Sequence, residues 1–471
     1  MWHTYYQPAT LAEALALLEQ HREQARVIAG GTDLLIELER GVRSQHILVD
    51  ITRIPALNRI EQAGDEITLG PLVTHNDVVA SRLLVTHAFP LVQACWEVGA
   101  PQIRNRATVA GNLVTASPAN DTIAPLWALD GAVTLSSAAR GARRLPFADF
   151  FLGVRRTALQ PDEMVSAVHL RALPDSARGL YIKLGLRRTQ AISLISLAVV
   201  LDFDGATVRR ARITLGSVAP TIVRAEAAET SLIGQTLNEA TIRSAGRLAL
   251  EAARPIDDVR ASADYRRAMV EVLVQRALRQ ISNGNERAAW PDTPILLQAP
   301  TIPQSVAAAL PAVEHSALIA LRLNGREIML SEAAGKTLLR ALREDGHITG
   351  VKEGCAEGEC GACTVWLDGK AVMACLVPAE RAAGCDVVTV EGLAQDDRLH
   401  PIQQAFIDEG AVQCGYCTPG LLMSGAMLLQ EQPHPTQGDI QQALAGNLCR
   451  CTGYAKVVAA IAKAGKETST E

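Results

Sequence analysis

At 471 residues the chain is too long for one ordinary domain, and two to four are expected. With 48% apolar and 20% charged residues it has the composition of a folded soluble protein, and a net charge of −5 with acids and bases interspersed argues against a nucleic-acid groove or a membrane-binding face. The longest apolar run, Ile192 to Phe203, is broken by Ser and Asp, and Met1-Trp2-His3-Thr4 lacks the basic and apolar regions of a signal peptide, so the cytoplasm is the expected location.

In chain order, Thr10 and Glu13 form a capping-box pattern with Leu11, Leu15 and Leu18 on one helical face. A short strand, Ala25 to Ala29, runs into Gly30-Gly31-Thr32-Asp33-Leu34 and a second helix. Two glycines let backbone approach a ligand, and helix-start N–H groups suit an anion such as a pyrophosphate. A plain structural turn fits the same residues, and the pattern is not G-x-G-x-x-G, so a Rossmann nicotinamide site is not supported. Ile47 to Asp50 and Glu66 to Leu69 read as strands, Thr74 to Thr86 as one helix, and Cys95 as a buried thiol on an apolar helix. The stretch Thr108-Val109-Ala110-Gly111-Asn112-Leu113 follows; Leu180 to Gly216 turns to strand, and 222–284 is helical.

Residues 285–315 carry Pro291, Pro294, Pro300, Pro303 and Pro311 without periodicity and read as a linker. Ala317 to Leu321 and Arg326 to Leu330 flank Asn324-Gly325, a hairpin signal. Thr337 to Glu344 reads as a helix, and from about 398 the chain is helical, with Pro419 opening a helix capped by Thr418.

Cysteine usage is the informative feature. The first 350 residues hold only Cys95, and the last 121 hold nine cysteines. In a reducing compartment such a cluster means metal or redox chemistry. Cys355, Cys360 and Cys363 have the C-x4-C-x2-C spacing of the plant-type [2Fe–2S] loop, with Cys375 further on. Glycines between them permit the conformations that bring N–H groups to sulfur, whereas structural zinc prefers C-x2-C pairs. Cys414-x2-Cys417 and Cys449-x-Cys451, separated by 31 residues, would also suit zinc if taken alone. Cys385 precedes a predicted strand and has no partner in sequence.

Gln413-Cys414-Gly415-Tyr416-Cys417-Thr418-Pro419-Gly420 and Gly446-Asn447-Leu448-Cys449-Arg450-Cys451-Thr452-Gly453-Tyr454 closely resemble the second-cluster motifs of the molybdenum hydroxylases, the family of xanthine dehydrogenase, aldehyde oxidase and aerobic carbon monoxide dehydrogenase. With the Cys355–Cys375 set the resemblance covers 317–465, and residues 1 to about 284 resemble the FAD subunit of the same enzymes. It implies an α+β multidomain chain. A vanillyl-alcohol-oxidase-type FAD domain of two lobes (1–175) and a flavoprotein C-terminal domain (176–284) precede the linker (285–315). A β-grasp ferredoxin-like [2Fe–2S] domain (316–393) and a helical [2Fe–2S] domain (394–471) follow it.

By the same resemblance Val27, Ile28, Ala29, Gly30, Gly31, Thr32, Asp33 and Leu34 form the pyrophosphate loop of FAD, and Thr108, Val109, Ala110, Gly111 and Asn112 a second FAD loop. Ala110 stands there for the more usual glycine. Ser117, Pro118 and Asp121 match a flavin-lining stretch and Lys183 a lysine near the isoalloxazine ring, although a solvated strand end suits Lys183 as well. Arg187 to Ser193 lacks an aspartate common in relatives, which bears on the terminal acceptor. Gln413 matches a glutamine that touches the pterin.

A flavin moves electrons in pairs or singly and a [2Fe–2S] cluster moves one at a time, so the chain reads as a wire ending in a two-electron converter, with no catalytic residue of its own. The resemblance implies a large partner subunit carrying molybdopterin, a dimer of heteromers, and the flow substrate, molybdenum, Cys414 cluster, Cys355 cluster, FAD, then NAD⁺ or another acceptor. Domain order implies a fusion of two normally separate bacterial subunits. Xanthine or a related purine is the expected substrate, with nicotinate, aldehydes and carbon monoxide open. The alternative is a stand-alone flavin–ferredoxin reductase without a molybdenum partner.

Overall fold

The computed structural model describes residues 2–300, 313–314, 318–396 and 398–467. The chain forms two compact units, each discontinuous in sequence: 1–55 with 99–107 and 295–471, and 56–98 with 108–294.

In the first unit the strands Thr4–Tyr6, Ile47–Asp50 and Ala25–Ile28 form a small parallel sheet, which Val313–Glu314 extends antiparallel beside Thr4–Tyr6. The helix Leu11–His21 starts on the expected cap, Thr10 accepting from Glu13 N, while the Glu13 carboxylate accepts from Ala9 N. It buries Leu15 and Leu18. The hairpin Ile319–Leu323/Arg326–Leu330 turns through Asn324 and Gly325, both at positive φ, two residues beyond the expected start of its first strand. Its first strand pairs parallel with Asp386–Val388, giving the five-stranded order expected of a β-grasp sheet, with Thr364–Leu367 and edge strand Lys370–Met373 following. Helix Leu338–Glu344, capped by Thr337, packs its leucines into that core.

This β-grasp module is docked on the N-terminal sheet: Trp2 Nε1 donates to Glu380 Oε1 (2.9 Å), Arg40 pairs with Glu357 and Arg340 with Glu39. The last module packs helices Pro401–Asp408, Thr418–Glu431, Gln437–Ala443 and Ala455–Glu467 around Phe406, Leu421, Met427 and Ile461. Cys417, not Thr418, occupies the cap position of the helix that Pro419 opens, and it makes no side-chain cap bond.

In the second unit, Ile60–Ala63, Glu66–Leu69, Glu163–Arg171, Ala132–Ser137 and Gly141–Pro146 form an antiparallel sheet in that order. A second sheet holds Ala177–Leu184, Ile195–Asp204, Thr207–Gly216 and Val223–Arg224, backed by helices Glu226–Leu232, Glu239–Leu248 and Ala263–Ser282. The long apolar run is therefore a central strand buried on both faces.

Three expectations are corrected. The helix over 74–86 is two helices, His75–Ala80 and Arg82–His87, because Ser81 is extended and its hydroxyl caps the second. The helical region 222–284 opens with a strand and is broken before Ser262, whose hydroxyl caps the last helix. The linker is ordered at 295–299, where Ile295 and Leu297 are buried; residues 301–312 and 315–317 lie outside the described residues.

Candidate functional site

The first cysteine set lies on the loop between the helix Leu338–Glu344 and the strand Thr364–Leu367, with Cys375 on the turn after Lys370–Met373. The Cys355 and Cys360 thiols are within hydrogen-bonding reach of each other, as are Cys363 and Cys375. Two pairs of thiols suit two irons with two thiolates apiece, which is the donor set of a [2Fe–2S] cluster. Among the described residues no group of three His, Cys, Asp or Glu side chains is placed to hold a single metal ion.

The loop aims its N–H groups at sulfur, Glu357 N and Glu359 N reaching Cys355 Sγ at 3.4 and 3.3 Å. The Cys360 thiol first, and these N–H groups after it, pull the Cys355 thiol down to about 5 against the opposing effect of burial. Gly358 and Gly361 take positive φ, and a side chain on Gly361 would collide with Gly446 O. Cys363 and Cys375 are buried.

The second set is held by the helix starting at Thr418 and the loop before Ala455. Cys414 and Cys451 sulfurs are 3.5 Å apart, and Cys417 is within reach of Cys449. Thr452 donates to Cys449 Sγ from its hydroxyl (3.1 Å) and its N–H (3.4 Å). Although burial opposes it, these donors take the Cys449 thiol down to about 7, while burial pushes Cys417 up to about 12. Tyr454 OH accepts from Cys449 N (2.6 Å) and donates to Asn447 O, bracing the turn. Cys414, Cys451 and Gln413 are exposed.

The two sets meet through main chain. Leu448 N donates to Cys360 O at 2.9 Å, one residue from Cys449. Beside that bond Asn447 donates to Gly361 O (3.1 Å) and accepts from Ser424 Oγ (2.8 Å) and Gln102 Nε2 (2.9 Å). The motif containing Asn447 is legible in sequence; its tie to Gln102, 345 residues away, is not.

The 27–34 stretch begins on the strand Ala25–Ile28 and ends on the short helix Leu34–Glu39. Gly30 lies against Arg106, whose guanidinium donates to Gly30 O and Ala29 O, and a Cβ there would stand 2.3 Å from Arg106 O. Gly31 has φ +79° and faces Leu376 O, next to Cys375. The pyrophosphate candidate thus backs directly on the first cysteine set. Burial, with Arg381 close by, draws the Arg106 guanidinium down to about 10. Arg106 carried no signal in the sequence.

The remaining flavin candidates belong to the second unit. Thr108 caps the helix Val109–Thr115, accepting from Gly111 N at 3.0 Å. Ala110 is an ordinary buried helical residue without positive φ, so alanine suffices where glycine is more usual. Asn112 Oδ1 accepts from Thr122 Oγ1, and Ser117 O from Asn120 N. Lys183 is not a solvated strand end. Its ammonium is buried, donating to Asp121 Oδ2 (2.7 Å) and Glu97 O (3.0 Å). Asp121 also accepts from Tyr181 OH (2.7 Å) and Ser193 Oγ (2.6 Å), two partners that sequence reading missed. Cys95 and Cys385 are both buried, and Cys385 accepts from Arg381 Nη1 at 3.2 Å.

These cysteine sets and loops define a flavin- and iron–sulfur-binding electron-transfer polypeptide. Comparison with known proteins gives the same class. The family described as "FAD binding domain in molybdopterin dehydrogenase" matches 2–172, "CO dehydrogenase flavoprotein C-terminal domain" 181–281, "2Fe-2S iron-sulfur cluster binding domain" 321–388 and "[2Fe-2S] binding domain" 389–462. The chain is 32% identical over 286 residues to the carbon monoxide dehydrogenase medium chain of Hydrogenophaga pseudoflava, covering 61% of this chain and 96% of that one. It is 49% identical over 143 residues to the nicotinate dehydrogenase small FeS subunit of Eubacterium barkeri, covering 30% and 91%. A solved structure of carbon monoxide dehydrogenase from Hydrogenophaga pseudoflava superposes with TM-score 0.57 at 33% identity, over 59% of this chain and 96% of that one. The chain belongs to the molybdenum hydroxylase family, as a fused FAD and [2Fe–2S] electron-transfer subunit.

Proposed function

We propose that the chain carries electrons from a large molybdopterin-bearing partner through the Cys414 set, then the Cys355 set, to FAD and on to NAD⁺ or another acceptor. The observation that carries this order is an asymmetry. Cys414 and Cys451 are exposed and flanked by exposed Val412, Tyr416 and Leu448, whereas Cys363 and Cys375 are buried and the Cys375 turn meets the Gly31 loop. Exposed apolar residues beside a redox centre suit a docking partner, and short separation favours transfer. In this reading Gly30 and Gly31 let the diphosphate of FAD approach the main chain, with Arg106 holding the carbonyls of Ala29 and Gly30 away. FAD, when bound, supplies the exchange between one- and two-electron steps. Thr108 to Asn112, Ser117 and Asp121 complete the assignment to FAD, and Asp121 fixes Lys183.

The substrate site is on another chain. A xanthine-dehydrogenase-like activity on xanthine or a related purine rests on the overall resemblance; relatives named for carbon monoxide and nicotinate share the same electron-transfer modules. Among the described residues no helix is long and apolar enough to cross a membrane; the cytoplasm and a dimer of heteromers remain part of this reading. The test is native purification followed by anaerobic addition of xanthine, nicotinate, an aldehyde or carbon monoxide. A co-purifying molybdenum chain and bleaching of clusters and flavin by xanthine is the expected result. A chain that purifies without molybdenum and is reduced only by a nicotinamide would replace this reading with that of a stand-alone reductase.

A further inference from the structure

The proline-dotted linker contains a segment that behaves as a ligand of the iron–sulfur half. Pro294 and Pro300 bracket Ile-Leu-Leu-Gln-Ala, and prolines lacking an N–H are natural ends for a short strand. Residues 295–299 lie antiparallel along the outer edge of Lys370–Met373, with Gln298 opposite Lys370. Leu297 O accepts from Ala371 N (3.0 Å), and Ala299 N donates to Gly369 O (2.8 Å).

The opposite backbone edge is met by side chains. The Glu431 carboxylate takes Leu296 N (2.8 Å) and Leu297 N (2.7 Å), one oxygen each. Asn105 Nδ2 donates to Leu296 O, Leu297 O and Ala371 O, while its Oδ1 accepts from Gln298 Nε2 (2.7 Å). Ile295 and Leu297 sink into the apolar core formed with Trp366, Phe406 and Leu422. Leu297 holds φ +56°, a conformation that a leucine keeps only where surrounding contacts over-determine it. A mere spacer has no reason to satisfy both backbone edges and bury alternate side chains.

We propose that 295–299 is a docking strand and that the Lys370–Met373 edge, with Asn105 and Glu431, is its receptor. The receptor fits a short peptide with apolar residues at alternate positions that bridges the sheet edge at one residue and kinks at a left-handed one, here the chain's own segment. The segment is thus held on the sheet edge by contacts of its own.

Two full-length holo chains test this, one with a specific protease site inserted between Gln304 and Ser305 and one with it between Asp292 and Thr293. The first cut leaves the strand on the flavin-side piece, so its bonds to Glu431 and to the Lys370–Met373 edge add to the Trp2–Glu380 and Gln102–Asn447 contacts that join the pieces; the second leaves it on the iron–sulfur piece, where only its bonds to Asn105 still reach across. Dissociation is followed by size exclusion over a urea series, so that both cuts give measurable rates. The expected result is dissociation slower by about tenfold or more for the 304/305 cut, the equivalent of about 1.4 kcal/mol. In that chain Leu297→Ala and Glu431→Ala should each bring the rate toward that of the 292/293 cut. Equal rates for the two cuts across the series, or no effect of either substitution, overturns the proposal.

Discussion

The two cysteine sets solve one problem with opposite materials. Around Cys355 the donors to sulfur are main-chain N–H groups on a glycine-rich loop, and half the set is buried between the β-grasp core and the Gly31 loop. Around Cys449 a side chain, Thr452, does part of the work, a helix start supplies Cys417, and two of the four thiols are exposed. A buried cluster set in backbone is suited to passing electrons inward. An exposed one is suited to receiving them from another protein. The main-chain bond from Leu448 N to Cys360 O joins the two environments.

The strongest way to break this comparison is to remove one ligand from each set. Cys414→Ser should lower iron from about four to about two per chain and abolish reduction of FAD by substrate, while a nicotinamide donor still reduces flavin and the Cys355 cluster. Cys360→Ser should leave the Cys414 cluster reducible by substrate with flavin oxidised, as read by paramagnetic resonance. Undiminished flavin reduction in the Cys414 variant would reverse the proposed order.

Next in size is the difference in exposure. A mild iron chelator should bleach the Cys414 signal about tenfold faster than the Cys355 signal, because the exposed sulfurs of Cys414 and Cys451 can be approached without local opening. Equal loss would show that the loops open together.

Asn447→Ala tests whether the sets are mechanically one. It removes acceptors for Gln102 and Ser424 and a donor to Gly361 O, so thermal unfolding should lose about 1–3 kcal/mol. Both cluster signals should broaden, since the contact they share is lost.

Gly31→Ala places a methyl on a left-handed residue 3.2 Å from Leu376 O, at a cost of about 1–2 kcal/mol. FAD retention on gel filtration should fall about tenfold. The Cys355 signal should shift and the Cys414 signal should not.

The smallest effect belongs to Thr452→Val. A hydrogen bond to sulfur favours the more negative, reduced cluster, so its loss should lower the potential of the Cys414 set by about 40 mV, the equivalent of roughly 1 kcal/mol. The Cys355 potential should not move in the same titration.

Much of this architecture was legible in the residues themselves, because its determinants are local. Cysteine spacing selects a cluster loop before any fold exists. Asn324-Gly325 takes positive φ wherever it joins two strands, and Thr10 caps its helix through a bond only three residues long. The eight candidate cysteines are brought together in the two sets their spacing defines. The misplaced boundaries, at Ser81 and Thr418, are also local, and there a competing extended residue or a cysteine took the cap position. What only the tertiary structure decided is long-range. Gln102 meeting Asn447, Arg106 under Gly30, Asp121 gathering Tyr181, Lys183 and Ser193, and Glu431 seizing the linker backbone all join residues 60 or more positions apart. Such pairs leave no periodicity or spacing in sequence. They arise because buried polar atoms must find partners wherever the packing of whole elements brings them within hydrogen-bonding distance.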